Sequence, residues 1–455
     1  MGIQDLLITP VWLGIIYLIA YLLRPALTDR KTRRYFIPGL TVKLVGALAV
    51  GFIYQFYYGG GRPSGDTFNY FRQAGIIFEA FGEKPLAGVQ LLLANGEVTP
   101  AIFDYAPRIY WFDSSTEYFV IKVIALFSLF TFHTYAADAL LFAAISFSGI
   151  WAMYRSFYRL FPRLHREFAI AMLFIPSVFF WGSGILKDTI TLGALGWATW
   201  AIIELFIRKR ALVKTSIILF AALYTIYSIK IYIVLCFLPA AIVWIFLANA
   251  EKIRSPIIRI GIAPFMLAIG GILGYYAMLQ IGADNARYSL DKVSETAEIT
   301  ARYLTYVGEQ QGGSVYTLGD DYDFSPAGML RKAPLAINVT LFRPYLWEAH
   351  NVVMLLSALE SLATLLLTIW VIYKAGIGNL IKYVLARPVI SFCLLFALAF
   401  SFAVGISTYN FGSLVRYKIP MFPFYIAGLF ILRYLAQQKQ FKRRRRKRPK
   451  AVLST

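Results

Sequence analysis

Runs of about twenty apolar residues recur along this chain, at 6–23, 40–58, 136–154, 168–184, 189–207, 213–229, 231–249, 259–280, 351–373, 389–409 and 420–437, with a weaker one at 117–132. A helix rises about 1.5 Å per residue, so each run is long enough to cross the ~30 Å hydrocarbon core of a bilayer. No water is present there to satisfy open backbone, which leaves the helix as the only spanning form for such uninterrupted runs. The chain is therefore expected to be all-α, a polytopic helical membrane protein with about eleven to twelve transmembrane helices. Residues 1–437 read as a single integral membrane domain with two long outer loops, 59–116 and 281–349, and 438–455 as a polybasic cytoplasmic tail. A content of 59% hydrophobic and 15% charged residues excludes a disordered or collagen-like chain. The first run has neither a charged leader nor a small-residue cleavage site, so it is read as a membrane helix and not as a cleaved signal.

The formal charge of +21 is explained by where the cations fall. Segments 24–34, 155–166, 208–214, 252–259, 374–387 and 433–450 hold 29 of the 45 Lys and Arg, and the positive-inside tendency makes all six cytoplasmic. The opposite face is near neutral. This orientation puts the N-terminus outside and the C-terminus inside, provided that 117–132, which carries Lys122, is a re-entrant or interfacial element and not a full span. The basic run from Lys442 to Arg448 orients the last helix and rests on anionic membrane lipid. No aromatic or glycine-rich recognition module accompanies it, so no nucleic-acid partner is expected.

Several chemistries lose support. Cys236 and Cys393 both lie in apolar runs, which excludes a disulfide framework, and His133, His165 and His350 are too scattered for a zinc motif. Walker, dinucleotide-binding and HExxH signatures are missing. Asp138, Glu204 and Glu360 lie within or near spans without evident basic partners, which weakens a transporter built on mid-membrane charge pairs.

What remains is a set of polar clusters at the outer membrane boundary. The first runs from Gly59 to Ala74 and contains Asp66 and Tyr70; glycines and Pro63 end the preceding span, and an amphipathic stretch follows from Tyr70 to Phe81. Ser64 or Asp66 can simply cap that stretch, whereas a carboxylate at the bilayer edge can also act as a general base or help hold a metal. The second, Pro176 to Thr189, ends one span in glycines and opens the next with Lys187 and Asp188, a helix start suited to a phosphate. A tight hairpin with Lys187 paired to Asp188 is the structural alternative. The third joins Arg343, a candidate bidentate phosphate ligand, to Tyr345, Trp347, Glu348 and His350. The fourth, Tyr409 to Pro423, places Asn410, Arg416 and Lys418 in a short outer turn. Cations kept on that side need an anion, either a lipid phosphate or an acid such as Asp66 or Glu348.

The spacing Asp66-x-x-x-Tyr70-x-x-x-Ala74 resembles the outer-loop motif of the GT-C superfamily of polytopic glycosyltransferases, the protein mannosyltransferase-like enzymes. Segment 136–188 is similar to that superfamily's next two helices, and Arg416-x-x-x-Pro420-x-x-Pro423 resembles its final helices. The Arg343–Glu348 and Asn410–Gly412 segments are closer to exopolysaccharide or O-antigen polymerase-like proteins. The resemblance implies transfer of a sugar from a polyprenyl-phosphate donor to a glycan or protein acceptor outside a cell membrane such as the bacterial inner membrane. It implies Asp66 as the base on the acceptor hydroxyl, Lys187, Arg343, Arg416 and Lys418 as donor-phosphate ligands, and Tyr70, Asp188, Glu348 and Asn410 as substrate contacts. Many GT-C enzymes follow the loop aspartate with a second acid, where this chain has Thr67. A divalent metal would then need another acid, such as Asp104, Asp113 or the group Asp320, Asp321 and Asp323; otherwise the reaction is metal-free. Loop 281–349, with an amphipathic helix over 284–307 and a glycine-rich turn at 310–314, would cover the site. A flippase for lipid-linked sugars and a non-catalytic subunit of an assembly machine are the alternatives from other classes.

Overall fold

The computed structural model describes residues 2–250, 298–299, 302–303, 306, 316, 318 and 326–447. Every regular element among the described residues is helical. Seven helices are long and apolar enough to cross a membrane, or eight if one bent pair counts as a single span, which agrees with a polytopic helical membrane protein. The chain divides into two compact units, Met1–Val234 and Leu235–Thr455.

The first unit holds α1 (Ile3–Leu27), α2 (Arg33–Phe52), α3 (Gly65–Glu83), α4 (Pro85–Leu93), α5 (Ser115–Thr131), α6 (Tyr135–Leu160), α7 (His165–Leu173), α8 (Pro176–Trp181), α9 (Lys187–Ile202) and the first part of α10 (Leu212–Ala250). Helix α6 is the core element, with 78% of its apolar window buried against 11% for α1. Small residues let α9 press on it backbone to backbone. A Cβ on Gly149 would lie 1.9 Å from the Gly193 carbonyl oxygen, and one on Gly196 would lie 2.2 Å from that of Gly149. Between helices in lipid, where no hydrophobic drive separates helix from solvent, such close approach is the main source of association.

The sequence-based expectations need three corrections. The run 168–184 is not one span but two short helices, α7 and α8, parted at Phe174 and Ile175. Pro176 has no N–H to give the preceding turn and holds Ile175 in extended backbone, which ends α7 there. The runs 213–229 and 231–249, by contrast, are the two halves of α10 as expected, separated at Lys230, whose φ of −145° and ψ of 75° leave helical geometry. Region 59–116 is largely helical, and α5 packs along α3 while Lys122 donates to the Ala94 carbonyl just past α4 at 3.2 Å. Helix α5 thus belongs with the helices of that region, and it is not among the seven spans.

The second unit contains the rest of α10, then α11 (Pro326–Arg331), α12 (Ala333–Phe342), α13 (Val352–Ala375), α14 (Ile377–Ala386), α15 (Pro388–Ser407), α16 (Phe411–Tyr417) and α17 (Phe422–Lys447). The third correction is here: within 281–349, α12 is no surface loop. It crosses α15 where Gly405 leaves room, a Cβ there falling 2.2 Å from the Ala336 carbonyl oxygen, and Thr340 Oγ1 donates to the Ser401 carbonyl at 2.7 Å. Helices α16 and α17 bend by 66° across Lys418–Met421, where Pro420 and Pro423 punctuate the chain. The expected span 259–280, the turn at 310–314 and the acids Asp320, Asp321 and Asp323 lie outside the described residues. Of the expected amphipathic helix, Glu298, Ile299, Arg302, Tyr303 and Tyr306 are described as helical, and Glu298 pairs with Arg302 one turn on.

Candidate functional site

In the first unit the polar groups flagged by sequence collect at the starts of α3 and α9. Asp66 stands in the first turn of α3, and it is close enough to Lys187, the first residue of α9, for the two charges to interact. Neither helix start has a side-chain cap: Leu186 precedes α9, and the Ser64 hydroxyl before α3 donates to the Tyr54 carbonyl instead. Their first-turn amides thus add positive partial charge beside the lysine.

Lys187 does not pair with its neighbour Asp188. Its ammonium binds the Glu117 carboxylate on α5 and donates to Thr116 Oγ1 at 3.0 Å. Burial works against the charge on Glu117, but the Lys187 ammonium and the hydroxyls of Ser114 and Thr116 outweigh it and hold the carboxyl down at about 2. Asp188 instead meets Lys230 at the break of α10, 2.5 Å away, with the aspartate 1% and the lysine 7% exposed. A buried charge is expensive unless paired, so this ion pair fixes the α10 break against the start of α9. Tyr70 is buried on the inner stripe of α3 with Thr67, Phe68, Ala74, Ile77 and Ala80, its ring tilted on Trp111 at 5.2 Å. The cluster therefore comprises Asp66, Glu117, Asp188, Lys187 and Lys230, three acids and two cations in one place.

Deeper in the same unit lies a group that the sequence reading passed over. Lys43, within the second apolar run and 2% exposed, donates to Ser146 Oγ at 3.0 Å and to the Gly182 carbonyl that closes α8. It supplies a cation to the C-terminus of a helix, where carbonyls lack partners. A lone lysine in an apolar run is itself a signal of a buried polar contact. Asp138, at the start of α6, accepts from Ser128 at 2.8 Å and Thr131 at 2.6 Å. Glu204, expected to have no basic partner, binds Arg159 at 2.7 Å and Arg208 at 2.6 Å. Among the other acids considered for a metal, Asp104 pairs with Lys84 at 2.7 Å, and among the described residues no group of three or more His, Cys, Asp and Glu is arranged to hold a metal ion.

The second unit gathers the remaining predicted residues. Arg343 binds Glu348, with Nε 3.0 and 3.1 Å from its two oxygens, and its guanidinium lies among the rings of Phe411, Tyr316 and Tyr345 at 5.1, 5.5 and 5.8 Å. Burial opposes the charge on Glu348, but hydrogen bonds from Arg343 and from the Tyr345 amide hold its carboxyl below the ordinary range. Lys418 is fully buried. It donates to Ser361 Oγ at 3.2 Å, which in turn donates to the Arg343 carbonyl at 3.0 Å, and Glu360 is near enough to feel its charge. Asn410 caps α16, accepting from the amides of Gly412 at 2.8 Å and Ser413 at 3.3 Å, and Arg416 lies partly buried in the last turn of that helix. The sequence placed Arg343 and Lys418 as outward cations; both are engaged by protein groups, whereas Trp347, at 78% exposed, and His350 face out of that cluster.

No protein-family model matches this chain, and neither a curated protein nor a solved structure does.

Proposed function

We propose that this chain is a membrane glycosyltransferase that moves a sugar from a polyprenyl-phosphate donor to a glycan or protein acceptor on the outer face of a bacterial inner membrane. The observation that carries the reading is the juxtaposition of Asp66 with Lys187 at two helix starts that no side chain caps. A carboxylate beside a lysine can take the proton of an acceptor hydroxyl, while the lysine and the amides of α9 stabilise the departing phosphate. Lys187 is assigned the donor phosphate first because it is the cation beside Asp66, where a phosphate would compete with Glu117 for it, and Arg416 is the second cation to test. In cells that make the glycan, Asp66→Asn should abolish product while the protein accumulates normally. Undiminished product would remove Asp66 from the chemistry.

The alternative of a carrier for lipid-linked sugars gains from one observation: the buried pair Asp188–Lys230 is the kind of intramembrane charge couple that transport pathways use. Vesicles containing the purified protein separate the two. A transferase forms a new glycosidic product from donor and acceptor on one side, whereas a carrier makes donor from one leaflet accessible on the other without forming product.

A further inference from the structure

On the basic side of the first unit, α1, α2, α6, α9 and α10 enclose a groove of about 520 Å³, within the size range of small-molecule sites. Its floor is aromatic, with Phe36, Phe147 and Trp151 packed on one another at 4.8–5.9 Å. Its rim is open to the bilayer, since Ile19 and Ile145 are each 49% exposed. Two of the indoles along its length are engaged inside the protein: Trp151 Nε1 donates to the Leu27 carbonyl and Trp197 Nε1 to Ser148 Oγ. One end differs. Arg155 and Lys214 line it, and neither makes a hydrogen bond or ion pair with any described residue. The acids nearest Arg155 are taken, Glu204 by Arg159 and Arg208, and Asp29 by Thr32 and Tyr158. Both cations belong to the segments that orient toward the cytoplasm.

An apolar trough open sideways to lipid, closed at one end by two cations that form no ion pair with a described acid, Arg155 feeling Asp29 and Glu204 only at a distance, has the chemistry of an amphiphile with an anionic head. We propose that it holds an acyl chain of an anionic glycerophospholipid from the cytoplasmic leaflet, with the lipid phosphate at Arg155 and Lys214. Basic pockets between membrane helices on that face are suited to such headgroups, and an unpaired guanidinium at the edge of the hydrocarbon gains most from a phosphate. The site is on the side opposite to Asp66 and does not depend on the transferase reading.

Trp12, Trp151, Trp197 and Trp200 line the groove, so occupancy can be read by fluorescence. The full chain is reconstituted in phosphatidylcholine vesicles carrying, as a minor component, phosphatidylglycerol or phosphatidylcholine with brominated acyl chains, which quench nearby indoles. Brominated phosphatidylglycerol should quench the wild type at about tenfold lower mole fraction than brominated phosphatidylcholine. The preference should vanish in Arg155→Gln/Lys214→Gln, persist in Arg155→Lys, and fall in Ala144→Phe, which fills the groove. Equal quenching by the two lipids in the wild type overturns the proposal. So does a preference unchanged in the double variant, which would assign it to the polybasic tail. Lys214 is exposed, and Lys214→Gln alone carries the test if Arg155→Gln does not fold: a reduced preference supports the site, and an unaltered one overturns it.

Discussion

Lys230 stands at the kink between the two halves of α10, and its ammonium lies 2.5 Å from Asp188 Oδ1 with both groups buried. Removing one partner leaves the other charge uncompensated. Asp188→Ala should therefore destabilise the protein by about 3–5 kcal/mol, whereas the apolar pair Asp188→Val/Lys230→Met should stay within a few kcal/mol of wild type. Thermal unfolding in detergent checks both, and an Asp188→Ala variant as stable as wild type would contradict the burial of the pair.

Glu117 gives the protein a defined acid response. Its carboxyl is held at about 2 when folded against an ordinary 4.5, so the contribution is complete above about 4.5 and is lost as pH falls toward 2. Glu117→Gln should cost about 1.5–3 kcal/mol at neutral pH, the usual worth of a hydrogen bond to a charged group, and should flatten the fall in melting temperature between pH 5 and about 2. Parallel curves for the two proteins would refute the assignment.

His133 titrates in the opposite sense to a paired histidine. It is stacked on Phe71 at 4.0 Å and near Phe78 at 5.6 Å, and burial lowers it from 6.5 to about 4. The folded state therefore favours the neutral ring. Stability from this residue is complete above about 6.5 and declines toward 4, because the unfolded chain takes up the proton first. A proton-detected titration of the folded protein should find this imidazole still neutral at pH 5.

The crossing of α6 and α9 has no space to spare. Gly149→Ala puts a methyl group into the Gly193 backbone, which cannot rotate aside as a side chain would, and should cost at least about 1–3 kcal/mol. Gly14→Ala, where nothing lies within 4 Å, should be neutral or stabilise α1 by up to about 1 kcal/mol. The fraction of monodisperse protein after graded heating distinguishes the two; loss in both would point to a general effect of helix glycines.

The spanning helices were legible because hydropathy is a local property: α1, α13 and α15 begin and end within about four residues of their apolar runs. The places of Asp66 and Lys187 were legible as well, each in the first turn of a helix, but their nearness to one another was not. What local pattern could not reveal was choice of partner. Lys187 reaches Glu117 across 70 residues and Lys230 reaches Asp188 across 42, while the adjacent Lys187–Asp188 pair, the simplest reading of the sequence, is not made. Arg343 read as a candidate phosphate ligand, yet the turn at Leu346–Glu348 folds the carboxylate back onto it. Lys43 was missed for a different reason. One charge barely alters the average over an apolar window, although at that depth it must have a destination.

That destination has a consequence for biogenesis. Helices α7 and α8, nine and six residues long, are each too short to enter a bilayer alone, and the carbonyl that closes α8 is held by a lysine synthesised about 140 residues earlier. Until Gly182 emerges from the ribosome, Lys43 has its Ser146 contact at most, so a nascent chain halted before α8 carries an unsatisfied cation inside an inserted helix. The broken helix and the charged span thus complete each other during synthesis, and chains arrested between residues 150 and 180 should be the ones that membrane quality control removes.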